Sequence, residues 1–187
     1  PKATSWTKST NSDSKQMNEI KRKLVFSWGN PSRGDDALGP LFAQAIDAMN
    51  LPDVECLTDF QLQIEHALDL QGRERVLFVD ASCQAQPDDA APFQFGPLAA
   101  RRDDSYTTHA MSPAALLQVY ADMEGQAPPP AWLLAIPGDS WELGDAPSIR
   151  AQERLTHAVQ WAASWLTAAT DLPTPFDLTR LPETEPT

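Results

Sequence analysis

Leu24-Val25-Phe26-Ser27-Trp28-Gly29-Asn30-Pro31-Ser32-Arg33-Gly34-Asp35-Asp36-Ala37-Leu38-Gly39 is the stretch that decides the fold. Its first five residues form a short apolar run, the pattern of a buried strand. Gly29-Asn30-Pro31 is a turn signal that ends it. Leu38, Leu41, Phe42, Ala45, Ile46 and Met49 then recur at helical spacing, and Asn50 and Pro52 stop the helix. A buried strand turning directly into an amphipathic helix is the opening of an α/β unit.

Outward from this stretch the alternation continues. Val54–Leu57 reads as a second strand. Residues 62–71 read as helical, with Leu62, Ile64, Ala67 and Leu68 apolar and a stop at Gly72. Arg75–Asp80 is the clearest buried strand in the chain. Pro92–Leu98 reads as a fourth strand, and Pro92 and Pro97 place it at a sheet edge. Ser112-Pro113 starts a helix, with Ser as N-cap and Pro at the first helical position, running to about Met123. Trp132–Ile136 is a last strand. Ser148 caps a long helix with Leu155, Ala158, Val159, Ala162 and Leu166 on one face. This order predicts a three-layer α/β/α sandwich, a mostly parallel five-stranded sheet with helices on both faces. Residues 23–170 are expected to form one domain, residues 1–22 a disordered N-terminal extension and residues 171–187 a Pro-rich tail.

Composition narrows the function. The 187 residues carry 14 Lys and Arg against 26 Asp and Glu, a net charge of −12. All five Lys lie in the first 23 residues, and from Leu24 onward 8 Arg face 24 acidic residues. Such a body repels phosphate backbones and anionic lipid, which argues against nucleic acid and membrane as partners. Two Cys and three His make neither a disulfide scaffold nor a Cys/His zinc module. There is no apolar run of membrane-spanning length and no signal-peptide core, so a cytoplasmic protein is expected. With no exposed apolar stripe in the pattern, a monomer is expected.

In parallel sheets ligands bind beyond the carboxyl ends of the strands. Asp35 and Asp36 follow the first strand there, Asp80 closes the third, and His109 stands in the loop before a helix. Two carboxylates and one imidazole suit a borderline divalent metal such as nickel, zinc or iron, and three ligands leave positions open. Each residue also has a plainer reading. Asp35 and Asp36 fit a first helical turn, where the dipole favours acids. Asp80 fits a cap, His109 a solvated loop, and Arg33 a local ion pair. Other chemistries have weaker support: there is no Walker A loop, no G-x-G-x-x-G and no G-x-S-x-G elbow. Cys83, three residues past Asp80, has no flanking signature of a nucleophile.

Three motifs in order resemble a known family. Gly29-Asn30-Pro31-Ser32-Arg33-Gly34-Asp35-Asp36-Ala37-Leu38-Gly39 resembles the N-terminal signature of the [NiFe]-hydrogenase maturation proteases. Val79-Asp80-Ala81 resembles their second motif, a strand ending in Asp-Ala, and His109 through Leu117 their third, a His at a helix start. The similarity runs over about residues 23–168. Thr58 through Leu68 and Trp141-Glu142-Leu143-Gly144 resemble the branch that serves soluble, bidirectional NAD-linked hydrogenases. The sequence departs from the family at Asp36, where some relatives have Glu, and at Thr58-Asp59-Phe60-Gln61, which replaces a Gly-rich segment.

The resemblance implies an endopeptidase whose substrate is the precursor of a hydrogenase large subunit. It would remove a short C-terminal extension once nickel is in place. It implies metal-contacting and catalytic roles for Asp36, Asp80 and His109, with nickel contributed by the substrate and no organic cofactor. Arg33, Asp59 and Gln61 stand near the same rim as candidate substrate contacts, and Asp59 and Gln61 equally fit a capping role. The alternatives are a non-catalytic metal-binding chaperone for nickel-enzyme assembly, using the same three ligands, and a small-molecule hydrolase using Asp80 and Arg33.

Overall fold

The computed structural model describes residues 20–83, 91–102 and 111–168. The readings made for residues 1–19, for the tail 171–187 and for His109 lie outside the described residues. Among the described residues there are five strands: β1 (Lys23–Trp28), β2 (Val54–Asp59), β3 (Arg75–Ser82), β4 (Gln94–Leu98) and β5 (Ala131–Pro137). Three α-helices accompany them: α1 (Leu38–Ala48), α2 (Pro113–Glu124) and α3 (Ile149–Thr167). The sheet order is β2-β1-β3-β5-β4. The first four strands of that order are parallel, and β4 runs antiparallel to β5 at the edge. The α/β fold with a mostly parallel five-stranded sheet is therefore as expected.

Strand parity divides the core. Val25, Leu77, Val79, Leu134 and Ile136 point to the side covered by α1 and α3. Leu24, Phe26, Val76 and Phe78 point to the side covered by α2 and the 3-10 helix Ile64–Leu70. All nine are buried, each contributing roughly 1.5–3 kcal/mol by leaving water. The edge strand β4 is held by aromatic edges, Phe95 meeting Trp161 and Trp165 at centroid distances of 4.4 and 5.3 Å.

The caps read from sequence are in place. Ser112 Oγ accepts the Ala115 amide at 3.1 Å, and Ser148 Oγ accepts the Ala151 amide at 3.3 Å. Residues 62–71 are helical over Ile64–Leu70, as expected, but with a tighter turn. The helix is a 3-10 helix that buries Ala67 and Leu70 while exposing Ile64 and Leu68, and Leu62 just before it is also buried. Ala67 and Leu70, three residues apart, share the buried face of a helix with three residues per turn. His66 tightens the first turn, its Nδ1 accepting the Gln63 amide at 2.9 Å.

From β1 the chain passes through α1 to β2 on one side, whereas from β3 it continues to β4 and, through α2, to β5 on the other side. The crevice between β1 and β3 is thus the switch point of the sheet, where open α/β folds place their ligands.

Candidate active site

Asp36 is delivered to that crevice by a turn that only glycine allows. Gly29 directly after β1 has φ +140°, and a Cβ there would collide with the Asp36 carbonyl. The chain then folds into a single 3-10 turn, Gly34–Ala37, which runs on into α1. Asp36 Oδ2 accepts the Asn30 amide at 3.0 Å, while Asn30 Oδ1 accepts the Ser32 amide at 2.9 Å. The carboxylate of Asp36 is therefore oriented by the loop and remains half-buried.

Asp80 comes from β3. Register aligns Ser27 with Val79, so the next pair along the crevice is Trp28 and Asp80. Burial pushes the Asp80 carboxyl up to about 7. The Ala81 amide acts against that, the Asp36 charge adds to it, and the Trp28 indole, donating to the carboxylate, opposes it. Two carboxylates, one from the turn after β1 and one from β3, are thus near enough to feel one another's charge. Near neutral pH Asp80 can hold or release a proton. A cation between the two would favour the ionised form of both.

Asp35 takes a different part. It is fully buried, and its oxygens accept four hydrogen bonds from the loop after β5. Oδ2 receives the Asp139 amide at 2.6 Å, the Ser140 amide at 2.9 Å and the Ser148 hydroxyl at 2.9 Å. Oδ1 receives the Ser148 amide at 2.6 Å. Burial works to raise this carboxyl, and the amides and hydroxyl outweigh it, leaving it below its ordinary value. Three further backbone bonds join the same segments: Asp35 N to Ser140 O, Gly34 N to Asp145 O and Gly144 N to Ser32 O. The adjacent acids therefore divide the work. Asp35 fastens residues 138–148 against the turn, and Asp36 faces the crevice.

The remaining candidates are placed as follows. Arg33 is exposed and its Nε donates to the Trp141 carbonyl at 2.9 Å, so it too serves the junction. Asp59 Oδ1 accepts the Phe60 amide at 2.6 Å, and its Oδ2 meets His66 Nε2 at 3.2 Å and Gln63 Nε2 at 3.4 Å. Asp59 is thus tied to its own loop, while the N-cap of the 3-10 helix that follows is Gln63. Gln61 is exposed beside it. The structure brings Asp36 and Asp80 together and gives Arg33 and Asp59 local partners. Trp28 was missed by sequence reasoning; the last residue of a strand parallel to the one ending in Asp80 was the signal for it. Among the described residues no cluster of three or more His, Cys, Asp or Glu forms a metal site, His109 standing outside them.

No protein-family model and no curated protein matches the sequence. Solved structures do match. The [NiFe] hydrogenase maturation protease HycI from Thermococcus kodakarensis superposes with a TM-score of 0.59 at 21% identity, covering 79% of this chain and 93% of its own. The hydrogenase maturating endopeptidase HybD from E. coli gives 0.57 at 21%, covering 75% and 89%. The hydrogenase 2 maturation peptidase from Thaumarchaeota archaeon SCGC_AB-539-E09 gives 0.57 at 24%, covering 79% and 99%. The chain shares the fold of these proteins.

Proposed function

We propose that this protein is an endopeptidase that removes a short C-terminal extension from the nickel-loaded precursor of a [NiFe]-hydrogenase large subunit. The observation that carries the proposal is the convergence of Asp36 and Asp80 at the sheet's switch point, within a fold shared with maturation proteases. In this reading Asp36, Asp80 and His109 contact nickel that the precursor already holds. Unloaded precursor gains none of that coordination, so loading is recognised by differential affinity. The arriving cation ionises Asp80, offsetting its burial and its repulsion by Asp36. The enzyme brings no cofactor of its own. The resemblance of residues 58–68 and 141–144 to one branch supports, as part of the proposal, a soluble, NAD-linked hydrogenase as the substrate's enzyme, processed in the cytoplasm by a monomer. The acidic body docks on a basic surface of the precursor, and this binding weakens as salt rises.

Intact-mass spectrometry of nickel-loaded precursor, incubated with wild type and with His109→Ala, tests the reading. Loss of a defined C-terminal peptide with wild type alone supports it. An unchanged mass, with the precursor confirmed as loaded, refutes it in favour of a non-catalytic assembly chaperone. Equal cleavage by both forms removes His109 from the site.

A further inference from the structure

The sheet has two edges, and they are built differently. At β4 the exposed Pro97 lacks an N–H, a common way to blunt an edge. At β2 no proline intervenes. The Asp53 carbonyl accepts Lys23 N and the Asp59 carbonyl accepts Gly29 N, so the odd-numbered residues of this segment turn their backbone groups toward β1. By the alternation of a strand, Cys56 and Thr58 turn theirs outward. Val54, the other even residue, satisfies its N–H locally on the Leu51 carbonyl. Among the described residues no backbone bond is made to the outward N–H and C=O groups of Cys56 and Thr58.

We propose that this edge binds the C-terminal segment of the substrate as an added β-strand, leading it over the end of β2 to Asp36 and Asp80. The proposal rests on the protease reading above. Donors and acceptors repeating every two residues match only an extended backbone, which is how strand addition recognises peptides. The edge is continuous with the site, because its last residue, Asp59, holds Gly29 of the turn that delivers Asp36. Added strands lie ~4.8 Å apart, so the new strand would lie about 14 Å from β3 across β2 and β1. Four to five extended residues span that distance. The Cys56 thiol, pushed up to about 12 by burial and by Asp47 and Glu55, stays neutral beside the edge. Asp47 and Lys21 line the groove beside Cys56 and Glu55 is ion-paired with Arg73 at 2.7 Å, so the backbone groups of the edge, rather than a local charge, select an extended segment.

Thr58→Pro tests this without touching the sheet, since the N–H it removes faces away from β1. The variant is expected to stay folded and to process nickel-loaded precursor with KM raised about tenfold, the loss falling in KM rather than kcat. A folded variant with wild-type KM overturns the proposal. Amide hydrogen exchange on the wild type gives a second readout that does not depend on the variant's folding. Protection of Cys56 and Thr58 on adding loaded precursor supports the proposal, and cleavage without protection overturns it while leaving the protease reading intact. Protection without cleavage supports the edge and refutes the protease. Absence of both refutes both. Protection before precursor is added, with the mass of two chains, gives the edge to a second copy and overturns the proposal.

Discussion

Asp35→Asn is the most informative single change for the stability of the site. The carboxylate receives three hydrogen bonds at Oδ2 and one at Oδ1, all from the loop after β5. An amide keeps one acceptor oxygen. With that oxygen at the Oδ2 position, its NH2 faces the Ser148 N–H, donor against donor. One charge-assisted bond is lost outright, worth about 1.5–3 kcal/mol, and the Ser148 amide is left unsatisfied in the interior. The other three bonds drop from charged to neutral strength. The total is about 3–4 kcal/mol, a large share of the ~5–15 kcal/mol that holds a domain together. At ~2–4 °C per kcal/mol for a chain of this size, Tm should fall by about 10 °C.

Urea unfolding followed by tryptophan fluorescence measures the difference, with the slope m unchanged. The sign of its pH dependence is fixed by the direction of the shift. The folded carboxyl lies below its ordinary value of 3.8, so its stabilisation is complete above that pH. It is lost as pH falls through the folded value. The gap between wild type and Asp35→Asn should therefore be constant near neutrality and narrow as pH is taken below about 4. A loss under about 1 kcal/mol at pH 7, or a gap unchanged at low pH, would refute the account of Asp35 as a charged clamp.

Other substitutions separate chemistry from scaffolding. Asp80→Asn should cut processing of loaded precursor about 10²-fold or more by intact-mass kinetics. Because the folded Asp80 carboxyl is raised to about 7, wild-type stability should fall relative to this variant as pH rises from about 4 to 7. Trp28→Phe keeps the ring and removes the indole donor, which lowers the Asp80 carboxyl. Its titration, followed by carboxyl NMR, should move upward; a downward move would contradict the assigned bond. Gly29→Ala should displace Asp36 and abolish processing, and wild-type turnover by a folded Gly29→Ala would show that the turn does not set the site. Ser148→Ala removes both the α3 cap and one partner of Asp35. It should cost about 1–2 kcal/mol in urea unfolding, less than Asp35→Asn.

What the sequence made legible follows from the range of the forces involved. The run Leu24–Trp28, the caps Ser112 and Ser148 and the helical spacing of α1 are local patterns, and each lies where its pattern predicts. Residues 64–70 are helical as the pattern predicts, but as a 3-10 helix, and the apolar letters alone do not say that Ile64 and Leu68 stay exposed. Packing of Ala67 and Leu70 under α2, with His66 folded back on Gln63, selected the tighter turn. The candidate site was half legible for the same reason. Asp36 and Asp80 could be picked because one follows the end of a strand and the other lies near the end of one, and parallel pairing brings those ends to one edge. Nothing local distinguishes Asp35 from Asp36, since both are acids in one turn. They differ because Asp35 reaches amides more than a hundred residues away, at Asp139, Ser140 and Ser148. The plainer reading, acids in a first helical turn, also falls short. A dipole effect at an exposed helix start is worth roughly 0.3–1 kcal/mol, and four bonds to a fully buried carboxylate exceed that several-fold. The pair is therefore best understood as one residue that ties a distant loop to the turn so that its neighbour's carboxylate is held toward Asp80. This predicts that loss of Asp35 lowers processing through misplacement of Asp36, even where urea unfolding shows the chain still folded.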